Sequence, residues 1–209
     1  MRSQFLVRRL SKHRRLSDGC YGFRDLKRWV DGRFHGRGET SEAILLAVVA
    51  GEHAYVEGPS GASKTALAET IIRSLKLKTF VYQFHRDTRA SELLGDAVIE
   101  RETSSPTTEI VKQRLQKGGL LVAEVSVLDE ISRAPGEALN ALLRALNERV
   151  DDQGRSLPLK CAVATSNPPT DEHFNEKLDP AALDRFAIHN KVESLIDSRD
   201  WESAKKVIR

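Results

Sequence analysis

The chain has 209 residues, of which 40% are hydrophobic and 30% are charged, and its formal net charge is +3. This length leaves room for one α/β domain with a buried core, and the balance of charges is typical of a soluble protein. No apolar run approaches the roughly 20 residues that a membrane-spanning helix needs, so we expect no membrane span. Cys20 and Cys161 are far apart and the six histidines are scattered, which argues against a disulfide framework and against a metal site built from cysteine or histidine ligands. The two lone cysteines favour a reducing compartment, and we expect a cytoplasmic protein.

The first feature in chain order is a basic arm. Residues 1–17 contain six arginines and lysines and no acid. Such a segment can be a solvated tail, a contact for nucleic acid or an acidic partner, or an organelle presequence, which would direct the protein to an organelle matrix. We expect residues 1–22 to form a poorly ordered, flexible arm.

Two helices are predicted after the arm. Phe23–Val30 can form a short amphipathic helix that ends at Asp31-Gly32, and the glycine-rich segment GRFHGRGE that follows is typical of a loop. Ser41–Ala50 predicts a second helix, because its apolar residues fall on one face and Gly51 supplies a C-terminal stop.

Five short apolar, β-rich runs then alternate with helical patterns. They are His53–Glu57, Thr79–Phe84, Val125–Leu128, Cys161–Thr165 and Ile188–Val192. Alternation of this kind predicts an α/β fold with a mainly parallel five-stranded sheet covered by helices.

The helices between these runs have recognisable signatures. Leu67, Ile71 and Leu75 follow one another at helical spacing, and residues 139–146 contain a leucine stripe. Asp179-Pro180 has the N-cap acceptor and first-turn proline of a helix start. Between residues 86 and 118 the pattern loosens, and we expect ETSSPTTE, residues 102–109, to be an exposed loop between helical pieces.

The segment GPSGASKT, Gly58–Thr65, lies between the first predicted strand and a helix. It differs by one residue from the phosphate-binding loop G-x-x-x-x-G-K-[ST], because Ser63 replaces the glycine before Lys64. In such a loop backbone N–H groups bind phosphate oxygens, the lysine reaches the β and γ phosphates, and the threonine hydroxyl can ligate magnesium. The order strand, loop, helix therefore predicts a site for a nucleoside triphosphate.

Polar residues end two of the other predicted strands. VSVLDE, residues 125–130, ends in Asp129 and Glu130, at the place where a second strand would deliver them beside the phosphates. We expect Asp129 to hold magnesium through water, and Glu130 to orient the attacking water or accept its proton. Asn167 ends the next strand, where an amide can contact the γ-phosphate or the water without adding negative charge.

With these motifs the chain resembles the AAA+ ATPases and, within them, the MoxR family. The family's usual GPPGTAKT and DEINRAP stand here as GPSGASKT and DEISRAP, and the likeness continues through ALLRALNER (141–149), ATSNP (164–168) and LDRF (183–186). MoxR proteins commonly have alanine before the lysine, so a small side chain at Ser63 is compatible with a working loop.

The resemblance implies a fold and a domain organisation. The fold is the P-loop NTPase three-layer sandwich, with residues 23–197 as the AAA+ α/β nucleotide-binding domain and residues 198–209 as a helix that begins a lid. Proteins of this kind normally continue into a helical lid, yet only 24 residues follow Arg185. The chain is therefore either a fragment, or its lid is missing or supplied by another protein.

The resemblance also implies ligands and residue roles. The cofactors are ATP and Mg²⁺. Asn167 matches the sensor 1 position, and Arg185 matches an arginine finger that acts on ATP bound to the adjacent subunit of a ring, expected to be a hexamer. The expected nucleotide-binding residues are Gly58, Pro59, Ser60, Gly61, Ala62, Ser63, Lys64, Thr65 and Asp129. The expected catalytic residues are Glu130, Lys64, Asn167 and Arg185, and the expected magnesium ligands are Thr65 and Asp129.

The implied function is hydrolysis of ATP to remodel a partner protein, which in this family often carries a von Willebrand factor A domain. Arg133 and Arg149 are candidate subunit-interface residues, with surface ion pairs as the alternative. Two other functions stay open. A nucleotide-binding switch with little turnover would fit the short lid, and a nucleic-acid-associated ATPase would fit the basic arm. The second is less favoured, because no interleaved aromatic and basic residues mark a base-stacking surface.

Overall fold

The computed structural model describes residues 22–105, 108–151, 154–169 and 178–208, with the backbone alone described for residues 96–105 and 108–117. The predicted basic arm, apart from Gly22, lies outside the described residues. Among the described residues, no helix combines the length and the apolar character needed to cross a membrane.

The described residues form seven strands, which include all five that the sequence predicts. The strands are β1 (Ala54–Glu57), β2 (Thr79–Gln83), β3 (Gly95–Ser105), β4 (Thr108–Lys117), β5 (Val125–Asp129), β6 (Cys161–Ser166) and β7 (Ile188–Lys191). Five of them form a parallel sheet in the order β2-β5-β6-β1-β7. The predicted fold class, an α/β protein with a five-stranded parallel sheet, is therefore confirmed.

The helices are α1 (Phe23–Asp31), α2 (Gly38–Ala50), α3 (Lys64–Ser74), α4 (Ala90–Leu94), α5 (Gly136–Glu148), α6 (Pro180–Leu183) and α7 (Trp201–Ile208). The predicted stop of α2 is confirmed, since Gly51 adopts the left-handed conformation at φ 71°. The predicted N-cap of α6 is also present, because Asp179 Oδ1 accepts a hydrogen bond from the Ala181 N–H at 3.0 Å.

Helices cover both faces of the parallel sheet. Successive side chains of a strand point to opposite faces. Val56 accordingly belongs to a buried cluster formed with α1, α2 and α3, whereas its neighbour Tyr55 belongs to a second cluster formed with α4 and α5. The three-layer arrangement follows from these two cores.

The segment between residues 86 and 118 differs from its prediction. Instead of helical pieces around a loop, it contains the short helix α4 followed by a long antiparallel pair, β3 and β4, in register from Gly95↔Lys117 onwards. The predicted loop at residues 102–109 falls on the far end of this pair, of which residues 106 and 107 lie outside the described residues. The prediction was wrong because the pairing joins residues up to 22 positions apart, at Gly95↔Lys117, and because charged residues interrupt the local apolar pattern.

Arg149 is a core residue. Its side chain is buried and donates hydrogen bonds to the carbonyl oxygens of Gly51 at 2.7 Å and Lys160 at 3.1 Å. These bonds join the ends of α5, α2 and the segment before β6 within one chain. The hypothesis that Arg149 contacts a neighbouring subunit is therefore not supported.

His53, immediately before β1, links helix α5 to strand β6. Its Nδ1 accepts the N–H of Ala162 at 3.0 Å, so its Nε2, which is 3.0 Å from the Leu146 carbonyl oxygen, carries the proton and donates. Burial lowers the pKa of His53, the Leu146 carbonyl opposes this effect and the Arg149 charge adds to it, and the resulting pKa is about 4. The neutral imidazole is therefore the form that the fold accommodates.

We expect His53 to make the free energy of unfolding decrease as the pH is lowered. Above pH 6.5 the imidazole is neutral in both folded and unfolded chains, and its contribution is complete. As the pH falls from about 6.5 towards 4, the unfolded chain takes up a proton that the folded chain cannot, and up to about 3 kcal/mol is lost. Urea unfolding of the unmodified chain and of His53→Gln between pH 7 and 4.5 measures this, because glutamine offers a donor and an acceptor but does not titrate. Identical pH dependence of the two chains would contradict the assignment.

Candidate functional site

The predicted phosphate loop connects the carboxyl end of β1 to the first turn of α3. Gly58 begins it, and its N–H donates to the Ser166 carbonyl oxygen of β6 at 3.1 Å. A Cβ at this position would lie 2.6 Å from the Val192 carbonyl oxygen, so no larger residue fits without displacing the end of β7. This close approach anchors the loop to the strands on both sides of β1.

Two residues of the loop adopt the left-handed conformation, Gly61 at φ 77° and Ser63 at φ 61°. Glycine does so freely, but for other residues it costs roughly 1–2 kcal/mol. Ser63 therefore takes the backbone conformation that suits the glycine of the usual pattern, at an energetic cost.

Lys64 is buried and points back into the loop. Its Nζ donates to the carbonyl oxygens of Gly58 at 2.7 Å and Pro59 at 2.8 Å, and to Asn167 Oδ1 at 2.9 Å. Burial lowers the pKa of Lys64, while the charges of Asp129 and Glu130 oppose that shift. The lysine and the predicted sensor asparagine are thus in direct contact, as the adjacency of β1 and β6 requires.

Asp129 receives two hydroxyl groups. Its Oδ1 accepts hydrogen bonds from Thr65 Oγ1 at 2.6 Å and from Thr165 Oγ1. Leu128 of β5 pairs with Ala164 of β6, which brings the next residue of each strand together. A carboxylate and hydroxyl oxygens are the donors that magnesium prefers, so Thr65 and Asp129 fit the ion that the sequence predicts.

Glu130 lies beside Asp129 and pairs with Arg133. Arg133 Nε is 2.7 Å from Glu130 Oε2, close enough for an ion pair, although that oxygen accepts no well-aligned hydrogen bond among the described residues. Glu130 is itself in the left-handed conformation at φ 54°, which turns the chain out of β5 into a short 3₁₀ turn at Ile131–Arg133. The carboxylate is held at the edge of the site by a partly exposed arginine.

These residues surround one pocket of about 300 Å³. This volume is at the lower end of the range for small-molecule sites and suits a phosphate group rather than a large apolar ligand. The pocket is lined by Ser60, Gly61, Ala62, Ser63, Lys64, Thr65, Ala66, Asp129, Glu130, Thr165, Ser166 and Asn167. The structure therefore brings together nine of the predicted residues, namely residues 60–65 of the loop with Asp129, Glu130 and Asn167.

Arg185 is not among the residues that line the pocket. It follows α6 and is exposed, whereas its neighbour Phe186 is buried in the core. Gly58 and Pro59 also lie behind the pocket, where their carbonyl oxygens hold Lys64. The predicted residues thus form one cluster, with Arg185 outside it on the surface.

Two residues that contact this site were not predicted from the sequence. Thr165 carries a hydroxyl that reaches Asp129, but it stands inside an apolar strand and has no charge to attract notice. Arg37 donates from Nε to the Ala62 carbonyl oxygen at 2.9 Å, from a loop 25 residues earlier. The TSN segment could have indicated Thr165, whereas no local pattern indicates Arg37.

Comparison with known proteins assigns the family. A family model described as the MoxR domain in the MoxR-vWA-beta-propeller ternary systems matches residues 22–203. The chain belongs to the MoxR family of AAA+ ATPases. The resemblance that the motifs indicate is thereby confirmed for this MoxR chain.

Individual relatives agree with the assignment. This MoxR chain is 30% identical to the uncharacterized protein MJ0812 of Methanocaldococcus jannaschii over 86% of its own length and 46% of that protein. It is also 30% identical to the chaperone MoxR1 of Mycobacterium tuberculosis, over 72% of its own length and 39% of that protein. The chain spans about half the length of the curated relatives it matches, or less.

A solved structure shares the fold. All of this MoxR chain superposes on 58% of a candidate ATPase from Cytophaga hutchinsonii, with a TM-score of 0.64 and 21% sequence identity. At this identity the likeness concerns the arrangement of helices and strands, which agrees with the layers described above.

Proposed function

We propose that this MoxR protein binds magnesium ATP in the described pocket and hydrolyses it at the contact between two copies of the chain, in order to remodel a partner protein. The observation that carries the proposal is the convergence of Lys64, Thr65, Asp129, Glu130 and Asn167 on one pocket. A cation, two oxygen ligands for a metal, a second carboxylate and an amide are the groups that hydrolysis of a phosphoanhydride needs.

The loop and Lys64 bind the triphosphate in this proposal. The N–H groups of residues 60–65 and of the first turn of α3 carry partial positive charge and bind phosphate oxygens. Lys64 sits beneath the loop, with Asn167 3 Å away, and reaches the β and γ phosphates. Asn167 keeps the lysine oriented and offers its amide N–H groups to the γ-phosphate.

Thr65 and Asp129 would hold the magnesium ion, which supplies charge neutralisation between the β and γ phosphates. The Thr165 hydroxyl fixes the orientation of the Asp129 carboxylate through its hydrogen bond. With its carboxylate oriented in this way, Asp129 would bind the magnesium ion through a water molecule.

Glu130 orients the attacking water and accepts its proton. Its carboxylate lines the pocket next to Asp129 and is only partly buried, so water can reach it. Arg185 lies outside the pocket of its own chain and stabilises the charge on the phosphoryl group transferred in an adjacent subunit. In this proposal the complete site lies at the contact between two chains of a ring, for which the family leads us to expect six members.

The family also suggests a partner and the limits of the domains. Since the matching family model is named for MoxR-vWA-beta-propeller systems, we propose a partner with a von Willebrand factor A domain. Residues 23–197 would be the nucleotide-binding domain and residues 198–209 the start of a lid. Cys161 is a buried free thiol, which supports a reducing compartment such as the cytoplasm.

Measuring turnover against protein concentration tests the proposal. If the site is completed by a second chain, we expect the ATPase rate per chain to rise with concentration and then level off as rings form. Nucleotide binding, measured by calorimetry, should depend much less on concentration. A rate per chain that is constant from nanomolar to micromolar protein would contradict hydrolysis between subunits.

A second candidate, a nucleotide-dependent switch with little turnover, is favoured by the ion pair between Glu130 and Arg133. If that pair persists when nucleotide binds, Glu130 cannot orient water. Binding of ATP without turnover at every protein concentration would support the switch.

A further inference from the structure

Arg37 contacts the phosphate loop from outside. It stands at the start of α2, and its Nε donates to the Ala62 carbonyl oxygen at 2.9 Å while its Nη1 donates to the Gly36 carbonyl oxygen at 3.1 Å. The guanidinium is partly buried, and burial lowers the pKa of Arg37. A hydrogen bond from a charged group is stronger than one between neutral groups, so this contact holds the carbonyl firmly.

The position of one carbonyl fixes the direction of the next N–H. The peptide unit between Ala62 and Ser63 is planar and trans, so its C=O and N–H point in opposite directions. Ala62 and Ser63 both line the phosphate pocket. Because the Ala62 oxygen accepts from Arg37, the Ser63 N–H points to the opposite side of the peptide, away from the guanidinium.

The same peptide leads into the strained residue of the loop. Ser63 adopts φ 61°, which a serine occupies at a cost that glycine would not incur. A hydrogen bond from outside the loop opposes the tendency of this peptide to rotate towards a relaxed conformation. Arg37 is placed to supply that hydrogen bond, because it contacts the residue immediately before Ser63.

We propose that Arg37 is a positioning residue which holds the Ala62–Ser63 peptide with its N–H facing the phosphates, and which thereby compensates for serine in place of glycine at position 63. The proposal rests on the proposed binding of a nucleotide in this pocket. Arg37 does not line the pocket itself, so its effect on the nucleotide passes through the loop backbone.

Arg37 also has a second neighbour, which offers a competing explanation. A Cβ built on Gly36 would lie 2.4 Å from Leu195 Cδ2 and 3.2 Å from Asp200 Oδ2, so the C-terminal segment packs directly against this turn. If Arg37 served only to attract Asp200 and to secure that segment, its loss would have the same effect whichever residue stood at position 63.

A double-mutant cycle on the full chain distinguishes the two roles. The dissociation constant for ADP is measured by calorimetry for the unmodified chain, Arg37→Ala, Ser63→Gly and the double variant. We expect Arg37→Ala to weaken ADP binding about tenfold beside Ser63, but only about two- to threefold beside glycine. Arg37→Lys, which can still donate to the Ala62 carbonyl, should retain most of the affinity.

Arg73→Ala is the matched control, since Arg73 is an exposed arginine that pairs with Glu69 on the outer face of α3. It removes the same charge and should leave the dissociation constant within about twofold. An equal loss of affinity beside serine and beside glycine, or no loss in either, would overturn the proposal.

Hydrogen exchange without nucleotide separates this inference from the proposed function. The amides of Ala62 and Leu67 donate to the carbonyl oxygens of Pro59 and Ser63, at 3.3 and 3.0 Å. We expect Arg37→Ala to speed their exchange several-fold beside Ser63 and less beside glycine. If the unmodified chain bound neither ADP nor ATP, the proposed function would fail, and this measurement would still decide whether Arg37 holds the loop. Unchanged exchange in Arg37→Ala would overturn the inference.

Discussion

Arg185→Ala is expected to lower the steady-state ATPase rate by a factor of about 10³ or more, with little change in the affinity for magnesium ATP. Arg185 is exposed after α6 and lies outside the pocket of its own chain, so its removal takes nothing from the nucleotide bound there. In the proposed ring, the variant loses the positive charge that stabilises the transferred phosphoryl group in the neighbouring subunit. Rates at saturating ATP and dissociation constants from calorimetry measure the two effects separately.

Two further variants sharpen this prediction. Arg185→Lys should recover little, because lysine lacks the planar fork that contacts two phosphoryl oxygens together. Arg144→Ala, which removes an exposed arginine paired with Glu148 on α5, should keep the rate. A large loss of ATP affinity in Arg185→Ala would show that the arginine serves its own chain instead.

Glu130→Gln is expected to lower turnover by about 10² to 10⁴ while ATP binding is retained or strengthened. Glutamine fills nearly the same volume and keeps the loop geometry, but it cannot accept the proton of the attacking water. It also removes a negative charge from the edge of a pocket that receives an anion, so the dissociation constant should not rise. The measurement is a rate under single-turnover conditions together with a binding isotherm.

Glu137→Gln, an exposed position in the first turn of α5, is the control for the loss of a carboxylate and should behave like the unmodified chain. Full activity in Glu130→Gln would remove Glu130 from the mechanism and leave the choice of base open.

Mixing the two inactive variants tests whether both residues serve one site. An Arg185→Ala chain still has Glu130, and a Glu130→Gln chain still has Arg185. Where the first chain binds the nucleotide and the second supplies the arginine, the shared site contains both residues. Turnover should therefore return in the mixture to an appreciable fraction of the normal rate. No recovery in mixed rings would place both residues in the same chain's site.

The sequence predicts the main sheet and most of the pocket because both depend on local patterns. The β5 and β6 strands are apolar runs, and Asp129 at the end of β5 and Asn167 after β6 reach the same edge because parallel strands share a direction. The glycine-rich loop follows β1, which is parallel to β6 and β5 in the same sheet. Asp129 and Asn167 therefore lie near Lys64 because of the strand order and direction.

Contacts between distant segments could not be predicted in this way. The bonds of Arg149 to Gly51, of His53 to Leu146 and of Arg37 to Ala62 join residues 98, 93 and 25 positions apart. Each depends on how helices pack on the sheet, which residue spacing does not encode. The pairing of β3 with β4 was missed for a related reason, since a hairpin with polar residues on both strands lacks the alternation that marks a strand in isolation.

The contacts of Lys64 have a consequence for how tightly any anion can be held. Its ammonium group already donates to three oxygens of the chain, two of them backbone carbonyls. An incoming phosphate must compete with these oxygens for the same three protons. The free energy that Lys64 contributes to phosphate binding is therefore the difference between its bonds to phosphate and its bonds to these oxygens, which is less than the full strength of a new ion pair. Because these oxygens compete with phosphate for Lys64, the lysine permits release of a bound phosphate as well as its binding. In the proposed hydrolysis, the product must be released in every catalytic cycle.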